Sequence, residues 1–552
     1  MQVARSPKVF DAVVVGSGAG GGTAVQRLTG AGLDVALLEG GPSLNPSTDY
    51  RSHNWPYEFD DRGRSMNALL GGNQLPGEPY SVAAGQEFQW WRARVLGGRT
   101  NNWGRHSYRM AEWDFRCRDR YDYGDNWPIA YSDLAPYYSE AERLMGVCGT
   151  KEGIPSLPDG DFLPPMKPKC HEVLLGKGAR KIGMPMIPIR RAVLTRNALG
   201  RPACHWCGAC NRGCMTGSKY CSIQYQIDPA LAGGNLTLLT DSMAREVLTD
   251  SSGEAIGISY IDTRTGEEKQ IRGKRIVLAA SSIETARLLL NSHSPHHPQG
   301  LGNSSGHLGK HLTDTIAVEG TFGLLPQLLD RPRVNEDGVH SGHVMIPWWK
   351  YDRKNEFAGG YHIEVFGGYA MPLLGTAADF ANTLPGHGKA FKRSAREHFG
   401  AYVRLGTAGE SFANEKSFVE IDPNGKDRWG IPTVKIHFEW TENDYLMAED
   451  IQTEFRNLIE AAGGKVYEPP PSAKRRRGGI QPGGAHIHEL GTARMGTHRE
   501  DSVTNPFGQL WDSPNVSVVD GSTFVTNPDK NPTLTIAALC LRACDRILEE
   551  GA

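Results

Sequence analysis

Five of the ten cysteines fall between residues 204 and 221, in the stretch CHWCGACNRGCMTGSKYC. Cys204, Cys207, Cys210 and Cys214 follow the spacing C-x2-C-x2-C-x3-C, which matches the bacterial ferredoxin run except that Met215 stands where that run carries proline. Gly208 and Gly213 leave room for the chain to wrap a compact iron–sulfur cluster. Structural zinc prefers two ligand pairs split by a longer spacer, and a disulfide would not use so many cysteines at once. The remaining cysteines are scattered, so the chemistry of this segment is local.

A second constellation opens the chain. FDAVVVGSGAGGGTAVQRLTGAGLDVALLEGG reads as a buried strand, a glycine-rich turn, a helix and a second strand. Gly16 suits the tight turn, Gly18 the close approach of backbone to a pyrophosphate, and Gly21 the packing of helix on strand. Glu39 closes the second strand, where a carboxylate accepts hydrogen bonds from ribose hydroxyls. The pattern predicts a dinucleotide site and leaves FAD and NAD open.

With 552 residues the chain supports two to four domains. Lys and Arg number 60 against 62 Asp and Glu, a net charge of −2, which argues against nucleic acid as a partner. The longest apolar run, LTIAALCL, is far short of a membrane span. The first residues, MQVARSPKVF, lack an apolar signal core, so the expected location is cytoplasmic, or periplasmic if a signal-bearing partner subunit carries the chain out.

Near the other end, VSVVD reads as a strand ending at Asp520. NPTLTIAALCLRACDRI reads as a helix with Asn531 at its N-cap and Pro532 at its first position. Together with HIHELGTARMG at 486–496, RVLGGRTNNWG at 94–104 and RIVLAASSIETARLLLNS at 275–292, these segments resemble the glucose–methanol–choline (GMC) oxidoreductases nearly end to end. Glu489 stands where that family usually has proline. Segments between 52 and 170 resemble its bacterial sugar dehydrogenases, nearest to glucoside 3-dehydrogenase flavoprotein subunits.

The resemblance implies an α/β protein with a Rossmann-type FAD-binding domain and a discontinuous substrate-binding domain built on an antiparallel sheet. The first would take residues 1–306 and 486–552, with flavin-covering loops across 52–230; the second would take 307–485. It implies FAD along Gly98, Asn101, Asn102, Asp520 and Thr533, with the Val247 backbone on the adenine. Asn102 occupies the position where some relatives carry a flavin-linking histidine, so the flavin is expected to be non-covalent. His488 is the expected general base, Asn531 its partner in holding the substrate hydroxyl, and His486 a structural residue. Trp348, Trp349, Tyr361, His362 and Glu364 are candidates for a sugar-binding wall.

The implied reaction oxidises a secondary ring hydroxyl of a sugar or glycoside, at C3, to a ketone. Electrons pass to an external acceptor such as a cytochrome c. An oxygen-using carbohydrate oxidase and a non-catalytic flavin or iron–sulfur electron carrier are the alternatives. Some relatives hold a three-iron cluster on such a cysteine segment and others keep only a loop. Cys204, Cys207, Cys210 and Cys214 are therefore candidate ligands of a [3Fe-4S] or [4Fe-4S] cluster, with Cys221 outside it; a structural loop and zinc are the other readings.

Overall fold

The computed structural model describes residues 8–50, 78–332, 341–369, 386–467 and 475–551, with positions 52, 54, 58, 338, 339 and 384 between them. The 55–64 stretch read as part of the sugar dehydrogenase resemblance lies, except for Glu58, outside the described residues.

Two sheets organise the chain. In the first, strand Val9–Val15 lies between Val35–Leu38 and Glu268–Leu278, parallel to both, and Leu236–Leu239 extends the edge. One end of the long Glu268–Leu278 strand pairs with Val516–Val518, and the other turns back antiparallel through Ala255–Asp262 and Ser242–Thr249. The apolar run DAVVVG is continuous because both faces of this strand are covered. Ala12 and Val14 pack toward helices Ala19–Gly30 and Thr533–Glu549, whereas Val13 and Val15 pack toward helix Ser282–Asn291 and the hairpin formed by Phe418–Lys426 and Pro432–His437. That hairpin lies within 307–485 yet joins the core of the first sheet through Val419, Val434 and Ile436.

The second sheet runs Lys465–Tyr467, Thr321–Leu324, Tyr402–Gly409, Tyr361–Gly367, Val344–Ile346, Ile187–Pro188, with every neighbouring pair antiparallel. Its edge strand at 187–188 comes from the segment between the two halves of the first sheet. Helix Glu442–Ala461 covers one face, packing Met447, Ile451, Phe455 and Leu458 against Ile363, Val365, Val403 and Leu405. The opposite face is not wet at its centre, since His362 and Glu364 are buried there against other parts of the chain. Trp348, Trp349 and Tyr361 belong to the apolar core of this sheet and so do not form a sugar-binding wall; burying such large rings outweighs displaying them.

The C-terminal helix starts at Thr533 with Pro532 as its N-cap, one residue later than the Asn-Pro pair predicts. Asn531 is thereby freed from capping. Among the described residues no helix is long and apolar enough to cross a membrane.

Candidate active site

The glycine-rich turn and the terminal segments converge on one large cavity with about 1950 Å³ of empty space, including its mouth. Gly16 has φ +94°, and a Cβ there would lie 2.4 Å from the Ala279 carbonyl oxygen. A Cβ at Gly21 would lie 1.8 Å from the Gly16 oxygen, so this glycine serves helix–strand packing and does not face the cavity. Gly18 lines the cavity and has open space where its Cβ would be, the cradle that a pyrophosphate requires. Glu39 lines it too, its carboxylate taking the Ser17 hydroxyl and the Gly41 N–H. Burial raises the Glu39 carboxyl above the usual range.

Gly98, Asn102, Asp520 and Thr533 all reach the cavity wall. Asp520 bridges two elements, accepting from the Ser522 N–H at 2.9 Å, the Ser281 N–H at 3.0 Å and the Thr285 hydroxyl. Two expected contacts fall elsewhere. Asn101 is fully buried behind the wall, its amide donating to the Leu96 and Gly98 carbonyls while its oxygen accepts from Tyr50. Val247 lies away from the cavity and its N–H is committed to the Ser292 hydroxyl at 2.8 Å; residues 242–245 of the same strand line the cavity instead.

His488 sits at the far end with a fixed proton. Asn527 Nδ2 donates to the His488 carbonyl at 2.9 Å, so its Oδ1 is the atom that accepts the Thr315 hydroxyl proton at 2.8 Å. The Thr315 oxygen, having given its only proton away, accepts from His488 Nδ1 at 3.0 Å. Nδ1 therefore carries the proton, and Nε2 keeps its lone pair. Asn531 Nδ2 stands 3.5 Å from that lone pair, while Asn531 Oδ1 is buried with no partner among the described residues. Burial, and then the neighbouring His486, hold the His488 ring well below the usual histidine range, so it is neutral and its Nε2 lone pair carries no proton. The Asp314 carboxylate anchors the segment through the backbone N–H groups of His486 and His488. Burial first, and Glu489 second, push that carboxyl up to about 7. His486, expected to be structural, also lines the cavity, with its ring 4.6 Å from that of His488.

His106, another wall residue, meets Glu364, which also faces His362 at 3.3 Å. Two histidines and a carboxylate this close invite a metal assignment, but the donor pattern opposes it. The Arg191 guanidinium can only donate, so His106 Nε2 accepts from it at 2.6 Å and Nδ1 must hold the proton that faces Glu364. That nitrogen has no lone pair for a metal.

The cysteine segment packs behind the same wall. All ten cysteines are free thiols, and among the described residues no three of these sulfurs gather as tightly as a single metal ion requires. Cys210 and Cys214 still lie close enough to add to the burial that raises the Cys204 and Cys207 thiols. The Trp206 N–H donates to the Cys204 sulfur at 3.4 Å. Lys219, fully buried, donates to the Cys210 carbonyl at 2.8 Å and to the Asn101 carbonyl, joining the cysteine loop to the turn at the cavity wall. Cys221 stands apart, donating to Asn101 Oδ1.

A family model described as GMC oxidoreductase matches residues 10–317, and a second of the same description matches 413–540. The chain belongs to the GMC oxidoreductase family. It is therefore an oxidoreductase acting on CH–OH donors, and its two sheets form the GMC fold. Enzymes of this family bind FAD, and the open cradle at Gly18 fits that group.

The GMC chain is 33% identical to 2-methyl-1,2-propanediol dehydrogenase of Mycolicibacterium austroafricanum, over 97% of this chain and 95% of that one. It is 25% identical to the fructose dehydrogenase large subunit of Gluconobacter japonicus, over 98% of each. Its fold superposes on pyridoxine 4-oxidase from Mesorbium loti with a TM-score of 0.66, at 17% identity, covering 97% of this chain and 98% of that one.

Sequence reasoning missed Thr315, Asn527, Asp314 and Lys219. Asn527-Pro528 repeats the Asn531-Pro532 pair four residues earlier, a signal that would have drawn attention to Asn527. Nothing in the local sequence marks the other three.

Proposed function

We propose that this enzyme oxidises a secondary ring hydroxyl of a sugar or glycoside, with C3 the expected carbon, to a ketone. The observation that carries this reading is the fixed lone pair of His488 Nε2 beside an unpartnered Asn531 oxygen in the cavity wall. Gly16, Gly18, Gly98 and Asn102 would hold FAD without a covalent bond, and FAD would supply the hydride acceptor. His488 Nε2 takes the hydroxyl proton, and Thr315 stabilises the resulting imidazolium by accepting from Nδ1. Asn531 orients the hydroxyl, its amide offering both a donor and an acceptor. The N-terminus of helix Thr533–Glu549 directs partial positive charge at the cavity wall, where negative charge develops.

The donor class rests on the likeness to a fructose dehydrogenase subunit and to bacterial sugar dehydrogenase segments; no aromatic wall supports it. Reduction of the bound flavin under anaerobic conditions by fructose, by a simple glucoside and by 2-methyl-1,2-propanediol tests it. Bleaching by a sugar is expected, and bleaching by the diol alone overturns it. Replacing His488 with Ala is expected to slow flavin reduction by about 100-fold to 10,000-fold; unchanged bleaching refutes its role as base. Flavin released into the supernatant after acid precipitation supports non-covalent attachment at Asn102, and flavin retained in the pellet refutes it.

In this reading Cys204, Cys207, Cys210 and Cys214 would hold an iron–sulfur cluster, which would supply a relay toward an external acceptor such as a cytochrome subunit. The cysteine spacing, the N–H donated to the Cys204 sulfur and the Lys219 bridge to the cavity wall support that path. Burial pushes the Cys204 thiol up to about 12, so iron would have to displace its proton on binding. Iron and labile sulfide per flavin, with an electron paramagnetic resonance spectrum, test the cluster. Oxygen-consuming turnover without an added acceptor favours instead the oxidase reading, which the pyridoxine 4-oxidase likeness keeps within the same fold.

A further inference from the structure

Glu489 stands at the position where the GMC element resembled here usually carries proline, and its side chain is 3% exposed. A carboxylate so deeply buried must be paired. Its partner is Arg99, whose guanidinium grips both carboxylate oxygens, Nη1 to Oε2 at 2.6 Å and Nη2 to Oε1 at 3.0 Å. The same guanidinium donates to the Ile487 carbonyl at 3.1 Å and to the Trp91 carbonyl. One side chain from the turn at Gly98–Asn101 thus ties together the covering loop at Trp91 and the segment on either side of His488. Both Arg99 and Glu489 line the cavity.

We propose that Arg99 and Glu489 form a charge-compensated staple that sets both the position of His488 and its readiness to take a proton. This rests on the reading of His488 as the base. The charged and titratable groups facing His488 are His486 on its own segment, His106 and Arg99 from the covering loop, Glu364 from the second sheet and Asp314 beneath its backbone N–H. Among these Arg99 acts against protonation of the ring, and Glu489 is placed to cancel that effect. Glu489 also acts, after burial, to raise the Asp314 carboxyl, so the pair bears on the anchor beneath His488 as well. Proline at 489 would stiffen the same backbone and do neither.

The proposal makes the two halves of one ion pair act in opposite directions. Glu489→Gln leaves the Arg99 cation uncompensated, which weakens His488 as a base. The acid limb of the pH profile for flavin reduction should move down by about one unit, and the flavin midpoint potential should rise, because an unopposed cation favours the reduced, anionic flavin. Arg99→Gln leaves a carboxylate beside the ring and should move the limb up and the potential down. The double variant, which buries no lone charge, should return both quantities toward wild type and keeps the comparison alive if Arg99→Gln folds poorly. The profile is measured with whichever alcohol or sugar reduces the wild-type flavin, and the potential by dye equilibration without any donor. A staple that acts only through position would shift both single variants the same way or not at all, and that result overturns the proposal. Failure of the donor reading would show separately, as a wild-type flavin bleached by the diol alone, and failure of His488 as base as unchanged bleaching in His488→Ala.

Discussion

Each group at His488 settles the proton of its neighbour, and the order matters. The Asn527 amide is oriented by the His488 carbonyl, which commits Thr315 to donate to Asn527 and accept from the ring. Thr315→Val removes the acceptor at Nδ1 while nearly conserving shape, so the ring is free to adopt the other tautomer. We expect flavin reduction to fall about 10-fold to 100-fold with KM almost unchanged, read by stopped-flow bleaching; a loss confined to KM would contradict the tautomer argument. At this scale the sequence was informative where a motif singled out residues that the structure brings to the cavity wall, as at His488, Asn531 and Gly18. Thr315 and Lys219 were illegible because their roles come from partners 173 and 118 positions away. Asn101 shows the reverse case, a residue inside a legible motif whose side chain points into the supporting loop.

At the scale of elements, the strand–turn–helix unit was readable because its three glycines answer to three separate steric demands. Their substitution should therefore separate folding from cofactor binding. Gly16→Ala forces φ +94° on a residue with a Cβ and drives that atom toward the Ala279 carbonyl. We expect a loss of at least about 1 kcal/mol in thermal unfolding of the apoprotein. Gly18→Ala meets nothing within 4 Å, so the apoprotein should melt normally while FAD affinity, titrated by flavin fluorescence quenching, falls. Equal loss of stability in both variants would refute the distinction. Tyr361 was misplaced for a related reason, because a strand that buries both faces gives no alternation to say which ring meets the cavity and which the core; Trp348 and Trp349 follow the strand Val344–Ile346 and join the same core. Long-range pairing likewise placed the 418–437 hairpin on the first sheet, a choice its own sequence does not encode.

Across the whole molecule, buried titratable groups set the pH range of stability. Burial lowers His106, His343 and His486 to about 4 and His171 and His311 to about 3. The unfolded chain binds protons at these sites below about 6.5 that the native chain refuses, so their contribution is complete above that pH and is lost as pH falls from about 6.5 toward 4. Each site contributes up to about 1.4 kcal/mol per pH unit in that window. Asp314 and Glu410, raised to about 7 and about 8 chiefly by burial, act with the opposite sign: they favour the native state at low pH and lose that effect as pH rises through those values. Thermal unfolding across pH should therefore peak between about 6.5 and 7 and fall more steeply on the acid side. A plateau extending down to pH 5 would refute this account.

The order in which the chain is made adds a further consequence. The strand at Val9–Val15 and the glycine cradle are synthesised well before helix Thr533–Glu549, which packs on helix Ala19–Gly30 through Cys540 and Gly20. His488, Asn527 and Asn531 all belong to that late portion. A nascent chain of some 480 residues therefore already contains Gly16 and Gly18 but lacks His488, Asn527 and Asn531, the proposed base and its partners. The proposed catalytic groups therefore take their places only when helix Thr533–Glu549 packs over helix Ala19–Gly30.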